Sequence, residues 1–526
     1  MTATLAAHAR PPVEAEHAMA ATSSPAATIA ALDVMKAGGN AVDAAVTASA
    51  ILCVTEPHMT GIGGDCFALI AWPDGRRAGL NGAGRSSHRA TPAWLRQSGL
   101  HEIAPQSIHA VTVPGAIDAW DRLLKEHGSI SLAEALAPAI TLAEAGVATQ
   151  PRVARDWPDF VTLLARDRGA SLHYLLAGRA PHEGEVMRYP ALARTLRIIA
   201  VEGRDGFYDG EIARDMLATL QEKGSLLDAE DFAATHADWV APISTPFLGA
   251  DIWEIPPPGQ GLTVLMALNI LKHFDLARLD PQGPQRMHLE IEALKRAWVL
   301  RNRHIADPAF ADVPVKALLS DDTAARLAAS ISPDRAEDVA VSLPGSNTVY
   351  LAVVDQNRLC CSFINSIYDE FGVGITTEKT GITLHNRGLA FSCDPNHPNV
   401  IAPAKRPLHT IIPALATKAG RNDMVFGVMG GDFQPMGHVN TVLNTYAYGL
   451  DPQASLDLPR FMPSGGAVLV EQGIGAAARL DLARLGHRLS DAPSPLGGGQ
   501  IICIDPRTGR LTAGSDPRKD GFAAGF

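Results

Sequence analysis

Cysteine is scarce. The 526 residues hold six, Cys53, Cys66, Cys360, Cys361, Cys393 and Cys503, with no CxxC pair among them. Thiols scattered this way do not suggest a disulfide framework or a zinc site and read as small buried hydrophobes in a reducing compartment. Positive charge is also short: Lys and Arg number 45 against 56 Asp and Glu, a formal net charge of −11 with His neutral. That balance argues against nucleic acid or an anionic membrane as a main partner, since either favours a basic face. No uninterrupted apolar run reaches membrane-spanning length. Arg10, Pro11, Pro12, Glu14 and Glu16 stand where a secretory signal needs an apolar core. The expectation is a cytoplasmic protein. Familiar catalytic signatures are missing too: no phosphate-cradling Gly/Lys/Ser-Thr loop, no HExxH helix and no GxSxG elbow. No cofactor or metal is implied.

What is present is apolar and rich in turns. Hydrophobic residues make up 46% and charged residues 19%, enough for a sizeable core, and 47 Gly and 37 Pro punctuate the chain. Pro25 opens a helical segment with Ala27, Ala30, Ala31 and Val34 at helical spacing, ended by Gly38-Gly39. A second Ala-rich helix, about residues 40–54, is apolar nearly all round and reads as buried. Glycines cluster at GIGGD, residues 61–65, before the strand candidate CFALIAW; the cluster is too short and wrongly placed for a dinucleotide fingerprint. LNGAGR ends in a loop holding Arg85. From about 113 to 330 the pattern is largely helical. After Arg335 it turns β-rich, with TVYLAVVDQNRLCCSFINSIY reading as two strands about a polar turn. The two textures meet near residue 345. His58, His397, His409 and His438 lie near Pro or Gly and read as loop residues in packing or exposed roles.

The strand that starts at Thr348 raises a chemical question. A Thr there is ordinarily an edge residue. If the chain is cut just before it, the freed α-amine, with an unperturbed pKa of about 7.7–8.0, can act as general base for the Thr hydroxyl. The remaining need is an oxyanion hole of backbone N–H groups, for which the turn in MVFGVMGGD offers Gly430 and Gly431.

Ordered blocks along nearly the whole chain resemble the γ-glutamyltransferase family of N-terminal-nucleophile hydrolases. They are AATSSPAATIAALDVMKAGGNAVDAAVTASAILCVTEPHMTGIGGDCFALI, VPGAIDAW, IEALKRAWVLRNRHIADPAF, NTVYLAVVD, FGVGI, TGITLHNR, APAKRPLHTIIPAL, MGGDFQPMGH and GSDPR. The resemblance implies an α+β fold, a four-layer αββα sandwich with a mainly helical N-terminal part. It implies a proenzyme that cuts the Asn347–Thr348 bond, leaving a large helix-rich chain of 1–347 and a small β-rich chain of 348–526 that stay associated. Thr348 is then the nucleophile, Gly430 and Gly431 the oxyanion hole, and Ser366 the second hydroxyl beside the nucleophile. The partners implied are a small-molecule amide and the two chains of one precursor, with room for a dimer of processed pairs.

Departures from the family pattern bear on substrate. Thr348 is followed by Val349 and Tyr350 instead of a second Thr and a His. His409 and Thr410 replace paired serines. Tyr368, Arg387 and Ala390 stand where the family holds an α-ammonium with Asn, Gln or Glu, and Asp; Arg85 is the nearest substitute for the carboxylate-binding arginine. The expected local field is positive, which disfavours an α-ammonium and suits an anionic acyl chain. The expectation is a γ-glutamyl amide hydrolase or acyltransferase working through a Thr acyl-enzyme. The alternatives are an acylase or amidohydrolase for glutaryl-type or oxamate-type monoamides, and an inactive homologue that only binds a ligand.

Overall fold

The computed structural model describes residues 10–339 and 348–526. Two seven-stranded sheets, antiparallel throughout, pack face to face. The first runs Phe522–Gly525, Met19–Thr22, Val349–Val354, Cys360–Ser366, Asp65–Ala71, Arg77–Gly82 and Asp238–Val240 from edge to edge. The second runs Val13–Ala15, Leu511–Ser515, Gly498–Ile504, Arg421–Met429, Ala414–Lys418, Ala250–Glu254 and Ile243–Phe247.

The central strand Val349–Val354 is buried on both faces, so it is apolar throughout. Its side chains alternate by the two-residue period of a strand. Val349, Leu351 and Val353 pack toward helices, while Tyr350, Ala352 and Val354 enter the core between the sheets. The helices over the first sheet are led by Pro25–Lys36, Ala41–Thr55 and Ala116–His127. Every residue of Ala41–Thr55 is buried, as its all-round apolar sequence predicts. Asn40 starts that helix by accepting from the Val42 and Asp43 amides, and Asp43 accepts from the Asn40 amide in return. On the far side, Gly261–Leu271 and Gln434–Tyr446 cover the second sheet, with Pro284–His304 packed behind. The result is the αββα sandwich that the resemblance implied.

The change of texture near residue 345 is no boundary in space. Residues before it supply seven of the fourteen sheet strands, and each sheet mixes strands from both parts. Three of the seven, Asp238–Val240, Ile243–Phe247 and Ala250–Glu254, fall where the sequence reads as largely helical. The last two form a hairpin whose two-residue turn is Leu248-Gly249, both at positive φ (47° and 83°). Leu at the first turn position and Pro246 within the strand hide it; Pro246 is tolerated because its strand is the sheet edge. His438 also differs from expectation, lying inside the helix Gln434–Tyr446.

Because the pieces interleave, separating them would strip backbone partners from both sheets. A preparation cut at the 347–348 bond should elute as one species on native gel filtration and give two bands on a denaturing gel. Two native peaks would show the pieces to be separable.

Candidate active site

Thr348 stands immediately before the central strand. Val349 pairs with Asn365 on the next strand, and Ser366 pairs with Asp65 on the one after. Residues directly opposite across strands project to the same face. Thr348, Ser366 and Asp65 therefore form a row at one end of the sheet, on the side where Tyr350 and Ile364 enter the inter-sheet core. All three are buried. Thr348 Oγ1 donates to Ser366 Oγ at 3.1 Å, and Ser366 Oγ also accepts from the Tyr368 amide at 2.9 Å. The glycines of GIGGD allow this closeness: a Cβ on Gly64 would lie 2.2 Å from the Ser366 carbonyl oxygen.

A buried guanidinium closes the row. Arg387 Nη2 donates to Ser366 Oγ at 3.1 Å and Nη1 to Thr410 Oγ1 at 2.7 Å. Its plane lies over the Tyr368 ring, 4.1 Å from the centroid, and its Nε is 4.0 Å from Asp65 Oδ2. Burial draws Arg387 down to about 10, opposed by Tyr368, Asp65, Asp369 and Asp432, so it stays charged. Asp65 Oδ1 accepts from the Gly84 and Gly115 amides at 2.9 and 3.2 Å; Oδ2 faces His409 Nε2 at 3.0 Å. Burial alone would raise Asp65, but His385, His409 and Arg387 outweigh it and hold the carboxyl at about 2. His409 is pushed down to about 3 by burial and then by Arg387, and is neutral. Its Nδ1 accepts from the Ile411 amide at 3.4 Å, which leaves Nε2 to carry the proton toward Asp65.

The glycine turn follows the strand Arg421–Met429, with φ of 117° at Gly430 and 55° at Gly431, values that favour glycine. Gln260 ties it to the cluster: its Nε2 donates to the carbonyls of Gly431 (3.0 Å) and Thr410 (2.8 Å). Arg301 donates to Gln260 Oε1 at 2.7 Å and pairs with Asp432. Behind the turn, His438 Nδ1 meets Glu254 Oε1 at 2.7 Å while Nε2 accepts from the Val428 amide at 3.2 Å. A cavity of about 530 Å³ opens beside Gly430, bordered by Asp369, Glu370, Asp432 and Phe433.

The structure thus gathers Thr348, Ser366, Tyr368, Arg387, His409 and Thr410, and links Gly430-Gly431 to them through Gln260. Arg85 stands apart, bonded to Asp238 Oδ2 at 3.3 Å and to the Ala404 carbonyl at 3.2 Å. Asn347 lies outside the described residues. The field is not uniformly positive as the substitutions suggested: Arg387 sits beside Asp65, and the cavity wall is acidic. Asp65, Gln260, Arg301 and Asp432 are the residues that sequence reasoning missed. The one available signal was position, since Asp65 ends GIGGD, Gln260 sits in PPPGQG and Asp432 follows the glycine pair.

A family model described as Gamma-glutamyltranspeptidase matches residues 27–526. The chain belongs to this family. Among its relatives is the glutathione hydrolase-like YwrD proenzyme of Bacillus subtilis, 36% identical over 94% of this chain and 95% of that protein. The oxamate amidohydrolase proenzyme of Klebsiella pneumoniae is 35% identical over 97% of this chain and 98% of its own length. The crystal structure of cephalosporin acylase from Bacillus halodurans superposes with a TM-score of 0.94 at 40% identity, covering 100% and 99% of the two chains. As a γ-glutamyltranspeptidase family member the chain is an amide hydrolase or acyltransferase of the N-terminal-nucleophile type. Among the described residues no helix is long and apolar enough to cross a membrane.

Burial also dictates a pH response. His409 and His438 are pushed down to about 3, and His487 to about 4, burial being the largest cause in each. Unfolded, such residues titrate near 6.5. Below that value each of these sites binds more protons unfolded than folded, so each contributes stability that is full above about pH 6.5 and is lost as the pH drops toward 3–4. Glu56 and Asp369, raised by burial to about 7 and 6, act in the opposite sense. The histidines should therefore add a downward slope to the denaturant midpoint from pH 7.5 to 5.5, and His438→Gln should lessen that slope by about one proton. A slope unchanged in the variant would mean that His438 is not buried neutral.

Proposed function

We propose that the chain is a self-processing amidase or acyltransferase whose nucleophile is Thr348, acting on an acyl donor that carries a second carboxylate. The observation that carries the reading is the Thr348–Ser366 hydrogen bond of 3.1 Å at the head of the central strand, beside a buried guanidinium. In processing, the Thr348 hydroxyl attacks the Asn347 carbonyl carbon, the C–N bond breaks, and water hydrolyses the resulting ester. This frees the Thr348 amine and divides the chain into 1–347 and 348–526. In turnover that amine takes the hydroxyl proton as Thr348 Oγ1 bonds to the substrate carbonyl carbon. Gly430 and Gly431 supply the N–H groups that meet the oxyanion. Collapse expels the leaving amine with the proton, and water or an acceptor amine removes the acyl group from Thr348. Ser366 holds the nucleophile in place.

Arg387 supports the acyl class. Two of its donors rest on the hydroxyls of Ser366 and Thr410, neutral acceptors that match a guanidinium less well than a carboxylate. Ala390 brings no charge for an α-ammonium. Tyr368 and Thr410 contact Arg387 directly and His409 faces it across Asp65, whereas Arg85 belongs to a separate ion-pair group. This favours a monoamide of a dicarboxylic acid. The second reading, a γ-glutamyl amide, is supported by the glutathione hydrolase-like name of a 36% identical relative. Six unpaired cysteines, four of them buried, support a reducing compartment, the cytoplasm.

N-terminal sequencing of the smaller fragment should begin Thr-Val-Tyr-Leu, and Thr348→Ala should abolish both cleavage and turnover. An active preparation with an intact chain defeats the mechanism. Glutaryl and γ-glutamyl anilides should give comparable kcat/KM. A γ-glutamyl advantage above about a thousandfold, roughly 4 kcal/mol, would show that another residue pairs the α-ammonium.

A further inference from the structure

The cavity beside Gly430 has an electrostatic character of its own. Asp369, Glu370 and Asp432 border it, and none of its other described lining residues carries a positive charge; much of the remaining wall is apolar, Phe160 and Phe433 included. Asp432 is only 2% exposed. One of its oxygens is held by Arg301, whereas Oδ2 has no hydrogen-bond partner among the described residues. An acceptor left buried without a donor costs free energy that a ligand's N–H can recover. Arg387 and Arg301 lie behind this wall, each turned to partners in the buried cluster, Ser366 and Thr410 for one and Gln260 and Asp432 for the other, while Lys519 acts on Glu370 from a distance and Arg460 stacks on the Phe433 ring.

The cavity side of the glycine turn is thus acidic, while Arg387 with its neighbour Asp65 lies on the other side. We propose that this cavity is the subsite for the amine half of the substrate, and that Asp369, Glu370 and Asp432 make it select cationic or neutral amines over amines that carry a carboxylate. The inference rests on the reading of Gly430-Gly431 as the oxyanion turn, because the cavity meets the reaction centre at Gly430. The scissile carbonyl at that turn, with its acyl carboxylate toward Arg387, leaves the amine substituent facing the acidic wall. An acidic wall repels a carboxylate there and attracts an ammonium.

Three glutaryl anilides test this, bearing para aminomethyl, ethyl or carboxymethyl groups, in which a methylene insulates the charge from the leaving nitrogen. Asp369 is pushed up to about 6, chiefly by burial, so the assay is run at pH 8 to keep it ionised. The expected order of kcat/KM is cation, neutral, anion, spanning at least about tenfold at low salt and shrinking as the salt is raised. Asp369→Asn combined with Glu370→Gln should reduce the cation-to-anion ratio to below about threefold. Equal rates across the series, a faster anion, or a ratio unmoved by the double variant would overturn the proposal. If only γ-glutamyl donors are cleaved, the acyl assignment has failed, and the same three amines on γ-glutamyl carry the test. If neither donor is cleaved, calorimetry of the three free amines on the Thr348→Ala chain decides: tighter binding of the cation supports the subsite, and equal binding overturns it.

Discussion

An ionised carboxylate removed from water must find its compensation within the protein, and Asp65 finds it from four directions. Two backbone amides, from Gly84 and Gly115, serve one oxygen; neutral His409 and the more distant Arg387 face the other. Each belongs to a different segment, so this single charge fixes where four pieces of chain converge. Arg387 in turn places its donors on Ser366 and Thr410, and Ser366 holds Thr348. Without that anion, Arg387 would be a buried cation left with mainly hydroxyl partners, and the arrangement around Thr348 would have to relax.

The sandwich supplies what the charge cannot, a fixed register. Three neighbouring strands present Thr348, Ser366 and Asp65 to the same space, though they come from positions nearly three hundred residues apart. The glycine turn reaches the same space from the opposite sheet, and Gln260 spans the gap between the Gly431 and Thr410 carbonyls. A strand slip by one residue would turn the row's side chains to the helix side, so the sheet core protects the site as strictly as any contact within it.

How far the sequence alone carried this picture follows from the same geometry. Thr348, Arg387 and the Gly430-Gly431 turn could be read because each sits in a recognisable block, and Ser366 because it falls where the family has a second hydroxyl. The buried helix at Ala41–Thr55 was legible from composition alone. Asp65 was not, because a carboxylate after four mostly glycine residues has no local pattern; its meaning comes from pairing across to Ser366. Gln260, Arg301 and Asp432 were hidden for the same reason, as their bonds join segments distant in sequence. The hairpin Ile243–Glu254 was missed through its turn chemistry, since Leu248-Gly249 lacks the Asn or Asp that marks such turns. Arg85 shows the converse, a residue placed near the site by motif whose side chain serves another ion-pair group.

Interleaved strands give the proposed cut at the 347–348 bond a thermodynamic consequence. Before the cut, folding is an intramolecular event, independent of how much protein is present. Afterwards the native state is a complex of two polypeptides that share both sheets, and its stability acquires a concentration term. On the proposed cleavage, the chain that folds is not the pair that works, and dilution, harmless to the precursor, becomes a force against reassembly of the unfolded pieces.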